Sequence, residues 1–401
     1  MKFGLVGPTF PFRGGIAAHT TLLEHAMRKR HDVVFVSFKR QYPTWIYPGP
    51  SDRDESEGGI RPLQASALLD SMNPWTWYQT AKRLVSERVD VVILPWWVIF
   101  WAPQYLLITS YLKVMSRIPV IFLCHNVHEH ETNRLKNLVT SLVLEQGSAF
   151  LCHSEEEKVF LEKHFPGRIV TTMVHPSYEA IANPSDSGSQ AASDGLPGEA
   201  ASPDHRTAHD PRQILFFGFV RPYKGLDVLL EAMPEVHRQT GARLKVVGEA
   251  WQDAGRYRRL VAEHGLNAVV DMDLRYVPNA ELPSVFDAAD LVVLPYRSAT
   301  GSGAVQLALG AGLPVVATRV GSIPTAVQHE TNGLLVPAED SKSLAQAITR
   351  ALDPDQWGRL VSGVAQTKEQ FSWDRLVDTI EQVASKLLDT GSGSRMQSET
   401  K

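Results

Sequence analysis

Two cysteines in 401 residues exclude a fold framed by disulfides. Cys124 and Cys152 each close an apolar run, VIFLC and SAFLC, and are expected to be buried as small hydrophobes in a reducing compartment. Charge of one sign is also lacking. Forty Lys and Arg stand against 44 Asp and Glu, a net charge of −4, so no basic excess points to nucleic acid as a partner. The opening MKFGLVG runs straight into a strand and a glycine turn, so no secretory signal is expected and the reading is cytoplasmic, with the cytoplasmic face of the inner membrane as the other expectation. A long uninterrupted apolar run is missing too. Val91–Leu112 carries no charge and would be long enough to span a bilayer, but Pro95 and Pro103 break it. Three readings of this stretch stand. It could be a span, an aromatic membrane contact made by Trp96, Trp97, Phe100 and Trp101 beside Lys113 and Arg117, or a buried strand, turn and helix packed in the core.

What is present is an alternation of short apolar runs with helix-period segments, the pattern of parallel sheets wrapped by helices. Its length supports two such domains. In the first, expected at 1–178, the strand candidates are Phe3–Val6, Val33–Ser37, Val91–Leu94, Val120–Cys124, Ala149–Cys152 and Ile169–Val174. Residues Ser185–Pro211 are rich in Ser, Ala, Gly, Pro and Asp and hold little to bury, so 179–212 is expected to be a disordered linker or insert. A second α/β domain is expected at 213–370, a helix at 371–388 and an unstructured tail at 389–401.

Two loops of the second half carry anion-binding chemistry. Leu215–Gly225 (LFFGFVRPYKG) is a strand, a glycine and then Arg221 and Lys224 ahead of a helix, which offers fixed positive charge and backbone N–H groups to a diphosphate. Downstream, the strand DLVVLP leads through Tyr296 and Arg297 to Gly301-Ser302-Gly303 at a helix start, where backbone can approach a ligand closely.

With Leu244–Gly248, Gly312–Thr318, Gly321–Pro324 and Asn332–Pro337, these loops resemble the nucleotide-sugar domain of the family 4 retaining glycosyltransferases, also called glycosyltransferase group 1, over most of residues 1–390. The resemblance implies the GT-B fold, two Rossmann-like parallel-sheet domains facing a central cleft, with the last helix crossing back to brace the first domain. It implies that a hexose-type sugar moves from a nucleoside-diphosphate sugar to a lipid-linked or saccharide acceptor, in the synthesis of bacterial cell-envelope polysaccharide or glycolipid. A nucleotide-sugar epimerase of the same fold and a catalytically silent sugar-nucleotide-binding subunit are the alternatives.

Breaking a sugar–phosphate bond places negative charge on the leaving diphosphate, so fixed cations are required. Lys224 and Arg221 supply them without a metal, and no cofactor or metal is expected. Asp271-Met272-Asp273 has the spacing of a divalent-ion clamp, but it stands where the family binds the base. Two departures from the family appear. The family's arginine directly follows the glycine, a place held here by Phe219. The family's two glutamates fall either on Ala299 and Leu307 or on Ser298 and Gln306, with no carboxylate in either register. Ser298, Thr300, Gln306 and the backbone of Ser302, Gly303 and Ala304 are therefore expected to hold the donor, with Gly218, Gly248 and Tyr276 beside them. In the first domain Gly14 and Gly15 are expected to face the cleft. His125 matches the family histidine that contacts the donor sugar, and His128 and His130 follow it in a turn without the helical spacing of a zinc site.

Overall fold

The computed structural model describes residues 1–43, 45, 51–54, 60–127, 134–173, 175–182, 208–250, 254–299 and 301–398. The chain divides into two compact units. The first comprises β1 (Lys2–Val6), α1 (Gly15–Arg28), β2 (Asp32–Arg40), β3 (Ala65–Asp70), α2 (Pro74–Ser86), β4 (Val91–Trp96), α3 (Ala102–Met115), β5 (Val120–Cys124), α4 (Arg134–Leu144), β6 (Ala149–Cys152), α5 (Glu155–His164) and β7 (Ile169–Thr172). The second comprises α6 (Glu179–Ala182), β8 (Gln213–Phe217), α7 (Leu226–Thr240), β9 (Arg243–Val247), α8 (Ala254–Glu263), β10 (Val270–Asp273), α9 (Leu282–Asp287), β11 (Leu291–Leu294), α10 (Gly303–Gly310), β12 (Val315–Thr318), α11 (Ile323–Ala326), β13 (Gly333–Val336), α12 (Ser341–Leu352) and α13 (Pro354–Thr367). The last helix, α14 (Trp373–Ser398), belongs to the first unit.

Both sheets are parallel throughout. The first has the order β3-β2-β1-β4-β5-β6-β7 and the second β10-β9-β8-β11-β12-β13. Each order reverses at one place, between β1 and β4 and between β8 and β11. In doubly wound sheets that reversal opens a crevice at the carboxyl ends of the strands.

Strand alternation splits the first unit's core into two layers. Phe3, Leu5, Val91, Ile93, Ile121 and Leu123 face α1 and α14, meeting Leu23, Met27, Leu376, Val377 and Ile380. Val6, Val92, Leu94, Trp96 and Phe122 face α2 and α3, meeting Leu84, Tyr105 and Ile108. Arg30 pairs with Asp378 at 2.7 Å and fixes α14 against the end of α1.

The aromatic stretch belongs to this core. Trp96 ends a central strand on the face that α3 covers, and Trp101 lies in a tight turn between Phe38 at 4.4 Å and Tyr42 at 5.4 Å. Trp96 is 2% exposed and Trp101 0%. Neither can enter a membrane interface, and no described helix is long and apolar enough to cross a membrane.

Three boundaries differ from expectation. The first unit ends at Val174, because Ser177 and Tyr178 donate backbone bonds to Phe371 and Gln306 of the second unit. The segment 179–212 includes α6 and the described residues 208–212, where His209 and Arg212 bind buried Asp290; the part from 183 to 207 lies outside the described residues. The last helix continues past Leu388 to Ser398, since an established helix adds one bond per residue and the Thr390 hydroxyl donates back to Lys386. One strand, β3, escaped the pattern. It is a half-buried edge strand whose Asp70 pairs with Arg40.

Candidate functional site

In the second unit, both anion-binding loops flank the reversal point. The loop after β8 passes through Gly218 to a tight turn, Pro222–Lys224, which opens α7; the loop after β11 reaches α10. Gly218 and Gly248, which follow adjacent strands β8 and β9, have φ of +112° and +143°. A Cβ on Gly218 would stand 2.6 Å from Lys224 Nζ, and one on Gly248 2.1 Å from the Gly218 carbonyl oxygen. Only glycine lets these two loop tips lie against each other and leaves room for the lysine tip.

Lys224 is laid over the ring of Tyr296, with Nζ 5.2 Å from its centre. Loss of water pushes its ammonium below the ordinary lysine range, and neighbouring Arg221 pushes the same way against the opposing influence of Tyr223. Such a cation regains the most from a bound anion. Across the crevice, Ser302 caps α10 by accepting from the Val305 N–H at 3.3 Å, and its hydroxyl lies 3.4 Å from Tyr296 Oη. Gly303 and Ala304 form the first turn of α10, whose N–H groups and dipole favour negative charge.

Gln306 is 3% exposed, and its carboxamide oxygen is buried without a hydrogen-bond partner among the described residues. A buried orphan acceptor costs stability and fits a site built to receive a ligand hydroxyl. Of the two registers for the absent glutamates, Ser298 with Gln306 is thus the polar one, since Ala299 and Leu307 are buried apolar residues. Tyr276 follows β10 and is half-buried. Asp271 and Asp273 are engaged by Lys245 at 4.0 Å and Arg275 at 3.1 Å. Thr300 lies outside the described residues.

In the first unit, Gly14 and Gly15 open α1 and are exposed, with nothing among the described residues within 4 Å of where a Cβ would stand. His125 follows β5, donates its backbone N–H to the Trp96 carbonyl at 2.8 Å, and packs its ring edge-on to His19 at 4.6 Å. Its Nδ1 meets Nε2 of His153 at 3.2 Å. That bond needs one ring nitrogen to donate and the other to accept. His128, Glu129, His130 and Glu131 lie outside the described residues.

Sequence reasoning missed His153 and Glu157. The Glu157 carboxylate accepts from the N–H of Val127 at 3.2 Å and of His153 at 3.1 Å, tying together the loops after β5 and β6. Burial holds its pKa up against these N–H donors. The available signal was Ser154 three residues ahead, which caps α5 by accepting from the Glu157 N–H at 3.2 Å. Cys124 and Cys152 face each other in register on β5 and β6 as free, buried thiols; burial raises both, Cys152 to about 12.

Comparisons with known proteins agree with this geometry. Residues 13–174 match the model described as Glycosyltransferase Family 4, and residues 211–354 the one described as Glycosyl transferases group 1. A D-inositol 3-phosphate glycosyltransferase of Saccharomonospora viridis is 33% identical over 42% of this chain and 41% of its own. One of Catenulispora acidiphila is 31% identical over 57% and 54%. The chain thus spans about half the length of the curated relatives it matches. Among solved structures, HepE of Anabaena in complex with UDP has a TM-score of 0.66 at 17% identity, covering 98% of this chain and 100% of that one. Sucrose-phosphate synthase of Thermosynechococcus elongatus has a TM-score of 0.61 at 18% identity, with full coverage of both. These likenesses show the GT-B fold, two Rossmann-like domains with parallel sheets of seven and six strands. With both halves matched in order on that fold, the chain belongs to the group 1, family 4 glycosyltransferases.

Proposed function

We propose that the protein is a retaining hexosyltransferase that takes its sugar from a uridine-diphosphate donor and needs no metal. One observation carries this reading: a half-buried lysine laid over the Tyr296 ring and the capped start of α10 flank the reversal point of one parallel sheet. There they can neutralise the diphosphate that leaves as the sugar–phosphate bond breaks. Uridine is favoured because HepE, one of the structural neighbours, is described in complex with UDP and with UDP-glucose. Arg221, two residues later than the family's arginine, has the lesser share of the diphosphate.

The first unit is assigned the acceptor side; His125 keeps the family's role beside the donor sugar, and Gly14 and Gly15 offer backbone N–H groups to the donor phosphate or the acceptor. The acceptor is a lipid-linked or saccharide hydroxyl of cell-envelope synthesis, met at the cytoplasmic face of the membrane. An exposed apolar ridge supports the membrane contact. Trp75 meets Tyr78 at 5.2 Å and Tyr78 meets Tyr111 edge-on at 5.4 Å. Val114 and Met115 follow on the same helix, 79% and 59% exposed, beside exposed Lys113 and Arg117. This ridge takes the place of Trp96 and Trp101. Residues 1–40 hold seven Lys and Arg against two Asp and Glu, but this excess argues for little, because Lys2, Arg28, Arg30 and Arg40 are each paired with an acid.

The test is donor turnover over a panel of nucleotide sugars, with lipid-linked, saccharide and inositol phosphate acceptors, with and without chelator. Product anomers would be read by NMR. Transfer from a UDP-hexose that survives chelator and keeps the anomeric configuration is expected. Binding without turnover would return the silent-subunit reading, and restoration by Mg²⁺ after chelation would overturn metal independence.

A further inference from the structure

Arg297 sits in the loop after β11, amid residues that would otherwise be read as donor ligands, yet its guanidinium is turned into the protein. Nη1 donates to Asp227 Oδ1 at 2.9 Å and to the Pro222 carbonyl at 2.6 Å, Nη2 donates to Asp227 Oδ2 at 3.1 Å, and Nε donates to Glu339 Oε1 at 3.0 Å. Four of its five N–H donors are thereby consumed. Its backbone N–H also donates to the Tyr223 carbonyl at 2.7 Å. Asp227, in the first turn of α7 and 7% exposed, takes a further bond from Arg256 at 2.9 Å. Its carboxyl is desolvated, yet the arginines hold it below the ordinary aspartate range. Glu339 reaches Arg297 from a backbone at φ +60°, a left-handed conformation that is costly for a residue with a side chain.

We propose that Arg297 is a positioning residue. It is a strut that fixes the Pro222–Lys224 turn to the loop leading into α10, so that the two halves of the diphosphate site stand at a set separation before any ligand arrives. The chemistry is that of a forked, bidentate cation, which lysine cannot reproduce. Electrostatic stabilisation is strong only where its donors are already in place, and the groups placed here are Lys224 and the first turn of α10. The consequence for turnover rests on the donor reading above; the mechanical role does not.

Two measurements on the full chain separate these. Amide hydrogen exchange compares wild type with Arg297→Lys, which keeps the charge and loses the fork. The expected result is exchange at Lys224 and Gly225 roughly tenfold faster, with distant core amides unchanged. Unchanged exchange in the turn overturns the strut. Calorimetry with UDP then runs a double-mutant cycle with Lys224→Ala. Arg297→Lys is expected to weaken UDP about tenfold in the wild-type background and to have little effect once Lys224 is gone. An equal loss in both backgrounds overturns action through Lys224. Wild type that fails to bind UDP would overturn the donor reading, while exchange still decides the strut. Should Arg297→Lys not fold, Glu339→Ala removes the Nε contact alone and is expected to give a smaller acceleration in the same amides.

Discussion

Lys224 Nζ lies over the face of Tyr296, 5.2 Å from the ring centre, and that ring comes from the loop of the opposite anion-binding device. The aromatic face offsets part of the cost of desolvating an ammonium and holds it where the α10 turn begins. A diphosphate entering between them meets a half-buried cation already held in place.

Lys224→Ala is therefore expected to lower kcat on the order of 10²–10³-fold, the scale for removing one preorganised donor to developing negative charge. Arg221→Ala should cost less. Steady-state kinetics with the best donor of the panel checks both, and near-normal rates in both variants would detach this loop from the leaving group.

The lowered ammonium of Lys224 carries a pH prediction with a definite sign. A bound diphosphate favours the charged lysine, so UDP affinity is highest below the lowered pKa and falls as pH rises through it, earlier than an ordinary lysine would allow. Lys224→Arg stays charged and should lose that early fall. Calorimetric titrations from neutral to alkaline pH decide it; parallel profiles in the two proteins would contradict the assignment.

Gly248→Ala should destabilise the fold more than Gly218→Ala. The added methyl of the first meets the Gly218 carbonyl oxygen at 2.1 Å, which is backbone, whereas that of the second meets the tip of a long side chain at 2.6 Å. Each substitution also carries about 1–2 kcal/mol of backbone strain at positive φ. Thermal melts rank them, and UDP binding should be lost in Gly218→Ala, where the lysine tip is displaced.

Gln306→Leu separates binding from stability. The orphaned carboxamide oxygen costs about 1–3 kcal/mol in the unliganded fold, so an apolar residue of similar size should leave the melting midpoint unchanged or higher while weakening UDP. A lower midpoint with unaltered UDP affinity would make Gln306 a core residue and nothing more.

Much of this was legible in the sequence because it is local. Val120–Cys124, Ala149–Cys152 and Leu291–Leu294 are strands bounded where their apolar runs end, and glycine next to cations marks the β8 loop within eleven residues. What stayed hidden is set by distant partners. His153 meets His125 across 28 positions and Arg297 meets Asp227 across 70, and no spacing rule reaches that far. Apolarity alone also cannot tell a core tryptophan from one bound for a membrane. Trp96 and Trp101 are settled by the turn that folds them under α3.

That distinction gives the last prediction, on membrane contact. Trp96→Ser or Trp101→Ser removes a fully packed ring from the core of the first unit and should cost about 3–5 kcal/mol, as large core truncations do. Loss of vesicle binding in those variants would report unfolding. Trp75 is 62% exposed and Val114 79%, so Trp75→Ser with Val114→Ser should leave the melt nearly unchanged. Each neighbouring cation contributes about 1 kcal/mol at an anionic surface, and the apolar ridge adds its own insertion. Co-sedimentation with phosphatidylglycerol-containing vesicles is expected to be salt-sensitive in the wild type, weakened by the paired surface change, and weakened again by Lys113→Ala with Arg117→Ala. Indifference to vesicle charge and to both sets of changes would leave the ridge without a membrane role and make a soluble acceptor, such as a sugar phosphate, the better substrate to test.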